Sequence, residues 1–109
     1  MKITEVGAAA IISETFPIRS LADQRKLLQN IDSLIERGKV NLIFNMDKVE
    51  YMMTVELGSL VAAMKKARAK GGALKLVAVG EFLDNLLSLT NLKRVFEIYP
   101  TEAEALKSL

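Results

Sequence analysis

The stretch best suited to regulatory chemistry is "VEYMMTVELGSL", Val49 to Leu60, where an apolar strand gives way to a helix. It carries one threonine, Thr54, with Glu56 two residues on. A hydroxyl in the first turn of a helix lies where free backbone N–H groups and the dipole favour negative charge, so a phosphate could be accommodated there. Phosphorylation would add about −1.5 to −2 charges and change a surrounding docking surface by desolvation and repulsion. Thr54 equally fits an unmodified N-cap whose oxygen accepts a backbone hydrogen bond. Glu56 also has two readings, since a first-turn carboxylate complements the dipole and would oppose a phosphate nearby. Of the adjacent methionines, alternation along an extended segment sends Met52 into the core and leaves Met53 near the surface. An exposed methionine suits an adaptable binding surface, and a single exposed apolar residue is also ordinary.

Other candidates for chemistry are weaker. Lys65, Lys66, Arg68 and Lys70 occupy the last turns of a helix, where cations complement the dipole and stay solvated. Gly71-Gly72 stops that helix before a strand, and no Lys-Ser/Thr follows to make a phosphate loop. The chain has neither His nor Cys. That removes imidazole bases, thiol nucleophiles, disulfides and the usual zinc ligands together. The remaining Asp, Glu, Lys and Tyr fall in no spacing that signals a catalytic site, so no enzyme, metal site or cofactor is expected.

Regular elements must position this turn. A short apolar run suits a strand near Ala8 to Ser13, with Met1 to Val6 as an edge strand before it. Leu21, Leu27, Leu28, Ile31, Leu34 and Ile35 recur at helical spacing, which predicts a helix from Leu21 to Arg37. Ser20 is its N-cap, Asp23 holds the capping-box position and Gly38 is its stop. "VNLIFNM", Val40 to Met46, is short and apolar enough for a central strand covered on both faces. A second helix starts near Val55 and ends at Gly71-Gly72. "LKLVAV" is the next buried strand, "FLDNLLSL" a short helix and "VFEIY" a third core strand. Thr101 and Glu104 form a capping box for a last helix through Leu106. Strands alternating with helices through right-handed crossovers give an α/β sandwich whose core strands are largely parallel.

Composition bounds the rest. One domain is expected for 109 residues of which half are apolar, enough to bury a core. A net charge of +2 is too small to argue for nucleic acid. The longest apolar runs fall short of the roughly 20 residues of a membrane span, so no membrane insertion is expected. "MKITEV" lacks the apolar core of a signal peptide, and the expected location is the cytoplasm.

The block from Lys39 to Leu106 resembles the STAS domain family, through "ARAKGGALKLVAV", "LLSLTNLKRVFEIYPTEAEAL" and the phrase "VEYMM-x-x-x-LG-x-L". The resemblance implies a single-domain sandwich acting as a bacterial anti-sigma factor antagonist-like module in transcription regulation and signal transduction. Its implied partner is an anti-sigma factor kinase, which typically phosphorylates a Ser or Thr in an Asp-Ser-x-Gly turn. Aligned on Val49 and Leu57-Gly58, the family Asp falls on Met53, the phosphoacceptor on Thr54 and the family Gly on Glu56. Two further acidic positions match Asn45 and the neighbourhood of Pro17. The scaffold is kept while the acidic surroundings of the hydroxyl are lost, which implies weak or absent phosphorylation switching. An alternative role within the same family is a STAS subunit of a signalling scaffold or of a membrane lipid-transport assembly.

A docking face follows from the helical wheel. If Leu57, Leu60, Val61 and Met64 face the sheet, then Glu56, Ser59, Ala63 and Lys66 point outward beside Met53 and Thr54. Small side chains at 59 and 63 would let a protein partner approach the helix closely. These six residues are the expected partner-binding set.

Overall fold

The computed structural model describes all 109 residues. Its strands are β1 (Lys2–Val6), β2 (Ala9–Ser13), β3 (Asn41–Asn45), β4 (Ala73–Val77) and β5 (Glu97–Tyr99). The helices are α1 (Leu21–Glu36), α2 (Thr54–Ala69), α3 (Glu81–Leu89) and α4 (Glu102–Lys107), with a 3₁₀ turn at Leu92–Arg94. The sheet runs in chain order, β1-β2-β3-β4-β5. β1 pairs antiparallel with β2 through a tight turn, and every later pairing is parallel. The three apolar runs singled out in the sequence are therefore neighbours, with "VNLIF" in the middle of the sheet.

Alternation along the strands builds two unequal layers of core. Leu42 and Phe44 on β3, with Leu74 and Leu76 on β4, face one way and meet Ile31 and Leu34 of α1, Leu60 and Met64 of α2, and Leu83 and Leu87 of α3. Ile43 and Val77 face the other way and meet Ala105 of α4. Burial on both faces is why these strands read as continuous apolar runs. The "VFEIY" run corrects one expectation: only Glu97–Tyr99 is strand, at the sheet edge, while Phe96 alone is fully buried. An edge strand needs one apolar face, so a polar residue, Glu97, can open it.

Helix ends follow their local chemistry. Ser20 Oγ accepts from the Asp23 N–H at 3.1 Å, and the Arg19 N–H donates to the Asp23 carboxylate at 3.0 Å. Thr101 Oγ1 accepts from the Glu104 N–H at 3.2 Å. At the end of α2, the Gly71 N–H donates to Arg68 O and the Gly72 N–H to Ala67 O, the paired bonds of a Schellman stop, with Gly71 at φ +82°.

One buried cation went unread in the sequence. Lys75, in the middle of β4, is 3% exposed; its Nζ donates to Glu97 Oε1 at 2.7 Å and lies 5.2 Å from the Tyr99 ring centre. The parallel register puts Lys75 directly opposite Glu97. The bond from Lys75, supported by Tyr99, holds the Glu97 carboxyl below its ordinary value despite partial burial. A carboxyl depressed in the folded state stabilises the fold at neutral pH, and that contribution is lost as pH falls through its folded value. The stability gap between the unmodified chain and Glu97→Gln should therefore be constant near neutrality and shrink as pH falls below the ordinary carboxyl range, read from urea midpoints. A gap that widened in acid would contradict the pairing.

Candidate functional site: an apolar face at the carboxyl ends of the strands

Three loops leave the carboxyl ends of β2, β3 and β4, each with a residue in the left-handed region: Glu14, Lys48 and Ala78. In an open parallel sheet this end is where binding sites gather. The loop after β2 runs into α1, and the loop after β3 runs into α2. Between them lies a groove of about 540 Å³, walled by Pro17 and Leu21 on one side and Tyr51, Met53 and Val55 on the other, with Arg19 at its rim. Four of these are large apolar side chains left in solvent: Leu21 at 72%, Tyr51 at 66%, Met53 at 59% and Val55 at 40% exposed. Four such side chains around one groove form a patch, not the scattered exposure that needs no explanation. The Arg19 guanidinium makes no ion pair.

The structure separates the six expected docking residues. Met52 is buried at 6% and Met53 is exposed, as alternation requires. Thr54 is exposed too, as the first helical residue, and the N-cap position belongs to Met53. Lys66 is half-buried and bonded to Asp32 of α1 at 2.9 Å. Glu56, Ser59 and Ala63 correct the helical wheel: they are 2%, 0% and 0% exposed and cannot meet an outside partner. Ser59 meets α1, and Glu56 meets Ile18 in the loop just before it. Gln24 Nε2 donates to Ser59 Oγ at 3.0 Å, and Ser59 in turn donates to Val55 O at 2.9 Å. The small residues do permit close approach of a helix, but that helix is α1. Leu57 and Val61, expected beneath α2, are only partly buried. The exposed residues of α2 are Thr54, Val55, Gly58, Lys65, Arg68 and Ala69.

Glu56 occupies the first turn with both oxygens engaged. Oε1 accepts from the Met53 N–H at 2.8 Å and Oε2 from the Ile18 N–H at 2.9 Å. It, and not Thr54, caps α2 by a side chain. The Thr54 hydroxyl makes no hydrogen bond within the chain, so the N-cap reading of Thr54 is corrected as well. Thr54→Ala is expected to change stability by less than about 0.5 kcal/mol, because it removes no bond and places a better helix former at the same site. A loss near 1 kcal/mol in chemical denaturation would restore the cap.

Asn45, at the end of β3, donates Nδ2 to Glu102 Oε2 at 2.7 Å and accepts from the Asp47 N–H at 2.8 Å. It ties the start of α4 to the loop that leads to Tyr51. No three metal-capable side chains converge anywhere in the chain, and no helix is long and apolar enough to cross a membrane.

A mostly parallel sheet with helices α1 to α3 on one face, one short helix on the other and an apolar groove beside a helix start defines a small α/β interaction domain. The STAS domain model matches residues 21–105, and the chain belongs to that family. It is 32% identical over 78 residues to the "putative anti-sigma factor antagonist" of Thermotoga maritima, covering 72% of this chain and 69% of that one. A crystal structure of a Thermotoga maritima protein of the same name superposes with a TM-score of 0.82 at 24% identity, over 98% of this chain and 92% of that one. The Bacillus cell fate determinant SpoIIAA in its phosphorylated form superposes at 0.74 with 17% identity, over 98% and 96% of the two chains. The last two show the fold.

Proposed function

We propose that the chain is an anti-sigma factor antagonist that acts by docking an anti-sigma factor kinase in the bacterial cytoplasm, with little or no phosphorylation switching and no catalysis of its own. The observation that carries this reading is the exposed ring of Leu21, Tyr51, Met53 and Val55 around one groove. Aromatic and methionine side chains beside a cation are the composition of a protein interface, where a few buried anchors supply most of the affinity. The family membership and the name of the Thermotoga maritima relative support the partner class.

The weak switch has its own physical support. Thr54 is accessible, as a phosphoacceptor must be, but the helix start beside it already holds the Glu56 carboxylate. A phosphate on Thr54 would add charge beside a buried anion, with Met53, Asn45 and Pro17 in place of acidic residues. Repulsion within the same turn opposes the modified state.

The test uses the purified anti-sigma factor kinases of the source organism. Each is titrated with the chain by calorimetry and incubated with it and ATP, followed by intact-mass and peptide mapping. One kinase should bind, Tyr51→Ala with Met53→Ala should weaken it at least tenfold, and Thr54 should stay largely unmodified. Absence of binding by every kinase would remove the partner class. Stoichiometric phosphate on Thr54 with loss of binding would restore a full phosphorylation cycle.

A further inference from the structure

We infer that Glu56 is a positioning residue that joins the two walls of the groove into one rigid face, an inference that rests on the docking role proposed above. The carboxylate is 2% exposed and has no cationic partner. A group of this kind is costly to bury unless hydrogen bonds replace its water. Here two backbone N–H groups do so, and they come from segments far apart in sequence. Met53 is three residues from Glu56, and Ile18 is 38 residues away. Ile18 sits between Pro17 and Arg19 on one wall of the groove, and Met53 is on the other.

The backbone makes no such connection. No backbone hydrogen bond runs between residues 14–19 and residues 47–53, and the Glu56 carboxylate is their single polar tie. Charge-assisted bonds to backbone N–H are about twice as strong as neutral ones. Without them only apolar packing, through Ile18 and Met52, would hold the loop at Pro17 to the loop at Tyr51 and Met53, and a partner would have to fix their relative position on binding. Holding them together beforehand removes that ordering cost. In the turn where the family pattern has its glycine, this chain has a side chain that closes the face on itself.

Two substitutions separate the bonds. Glu56→Asp is one methylene shorter: it can still serve the Met53 N–H in its own turn and falls short of Ile18. Glu56→Gln keeps one acceptor oxygen and presents an amide donor to the other N–H, so it can hold one wall only. Amide hydrogen exchange of the free chain, followed by NMR, reads both. In Glu56→Asp the Ile18 amide should exchange roughly ten- to hundredfold faster, with Met53 still protected and the amides of Leu42, Leu74 and Leu76 changed far less. In Glu56→Gln one of the two amides should be freed and the other kept. An unchanged Ile18 amide, or equal acceleration of every protected amide, would overturn the inference, the latter because it reports a general loss of stability. If Glu56→Asp does not fold, Glu56→Gln decides by the same comparison. The readout needs no partner, so its failure leaves the docking reading standing, and failure of kinase binding leaves the clip standing.

Discussion

The Gly72→Ala variant is expected to lose on the order of 3 to 5 kcal/mol of stability, enough to unfold a marginal domain of this size. A Cβ built at Gly72 would lie 1.9 Å from the carbonyl oxygen of Val40, 2.5 Å from its carbonyl carbon and 2.7 Å from its Cβ. Two of those three atoms are backbone at the entry to the central strand, and the next residue, Ala73, donates its N–H to the same oxygen at 3.2 Å. Relief would require β3 and β4 to separate where their ladder begins. Gly71→Ala is the control. Its added Cβ meets nothing within 4 Å, and its cost comes from φ +82° alone, roughly 1 to 2 kcal/mol for a left-handed residue. Thermal unfolding followed by circular dichroism should show Gly72→Ala falling by more than 10 °C, at about 4 °C per kcal/mol, and Gly71→Ala by clearly less. The reverse order would mean that close strand approach is not the constraint at 72.

Ser59→Leu is expected to lower the melting temperature by roughly 10 °C while leaving binding of the proposed kinase partner, per folded molecule, intact. Ser59 is completely buried between α1 and α2, where its hydroxyl is bonded to both Gln24 and Val55. A leucine there must push α1 outward, a kind of overpacking that costs typically 1 to 3 kcal/mol, and it strands the Gln24 amide at about 1 kcal/mol more. An outward Ser59 would give the opposite pattern, with binding lost and melting unchanged. Both quantities can be measured on one preparation, by scanning calorimetry and by titration with the kinase. Lost binding at full stability would return the docking face to that side of α2.

The two predictions share a physical basis. Gly72 and Ser59 are small because another part of the same chain comes close, and neither leaves a free surface. The groove between Pro17 and Val55 is the contrary case, since large apolar side chains there have nothing from the chain to cover them. Binding energy for a partner is available only from groups the fold has not already used.

Much of the architecture was legible in the order of residues. Period-two and continuous apolar runs placed β2, β3 and β4, and 3.6-residue spacing placed α1. Ser20, Gly38, Gly71 and Thr101 marked helix ends because capping depends on a few adjacent dihedrals and one local bond. Met52 inside and Met53 outside followed from alternation in the same way. The family resemblance rested on whole phrases in sequence order. The outward face of α2 was not legible. Its apolar residues, Val55, Leu57, Leu60, Val61, Ala62 and Met64, encircle the helix, so no stripe marks one side as buried. A glutamate and a serine then read as solvent-facing. Their burial depends on Ile18 and Gln24, whose arrival beside α2 is a matter of how α1 crosses it. Lys75 is the same case on the other face of the sheet, acceptable in the core only because the parallel register sets Glu97 opposite. Local periodicity thus determined which segments are strands and helices and, apart from the start of β5, about where they stop. Tertiary structure alone decided which polar groups could be buried and which apolar groups were left exposed, because both depend on neighbours more than twenty residues away.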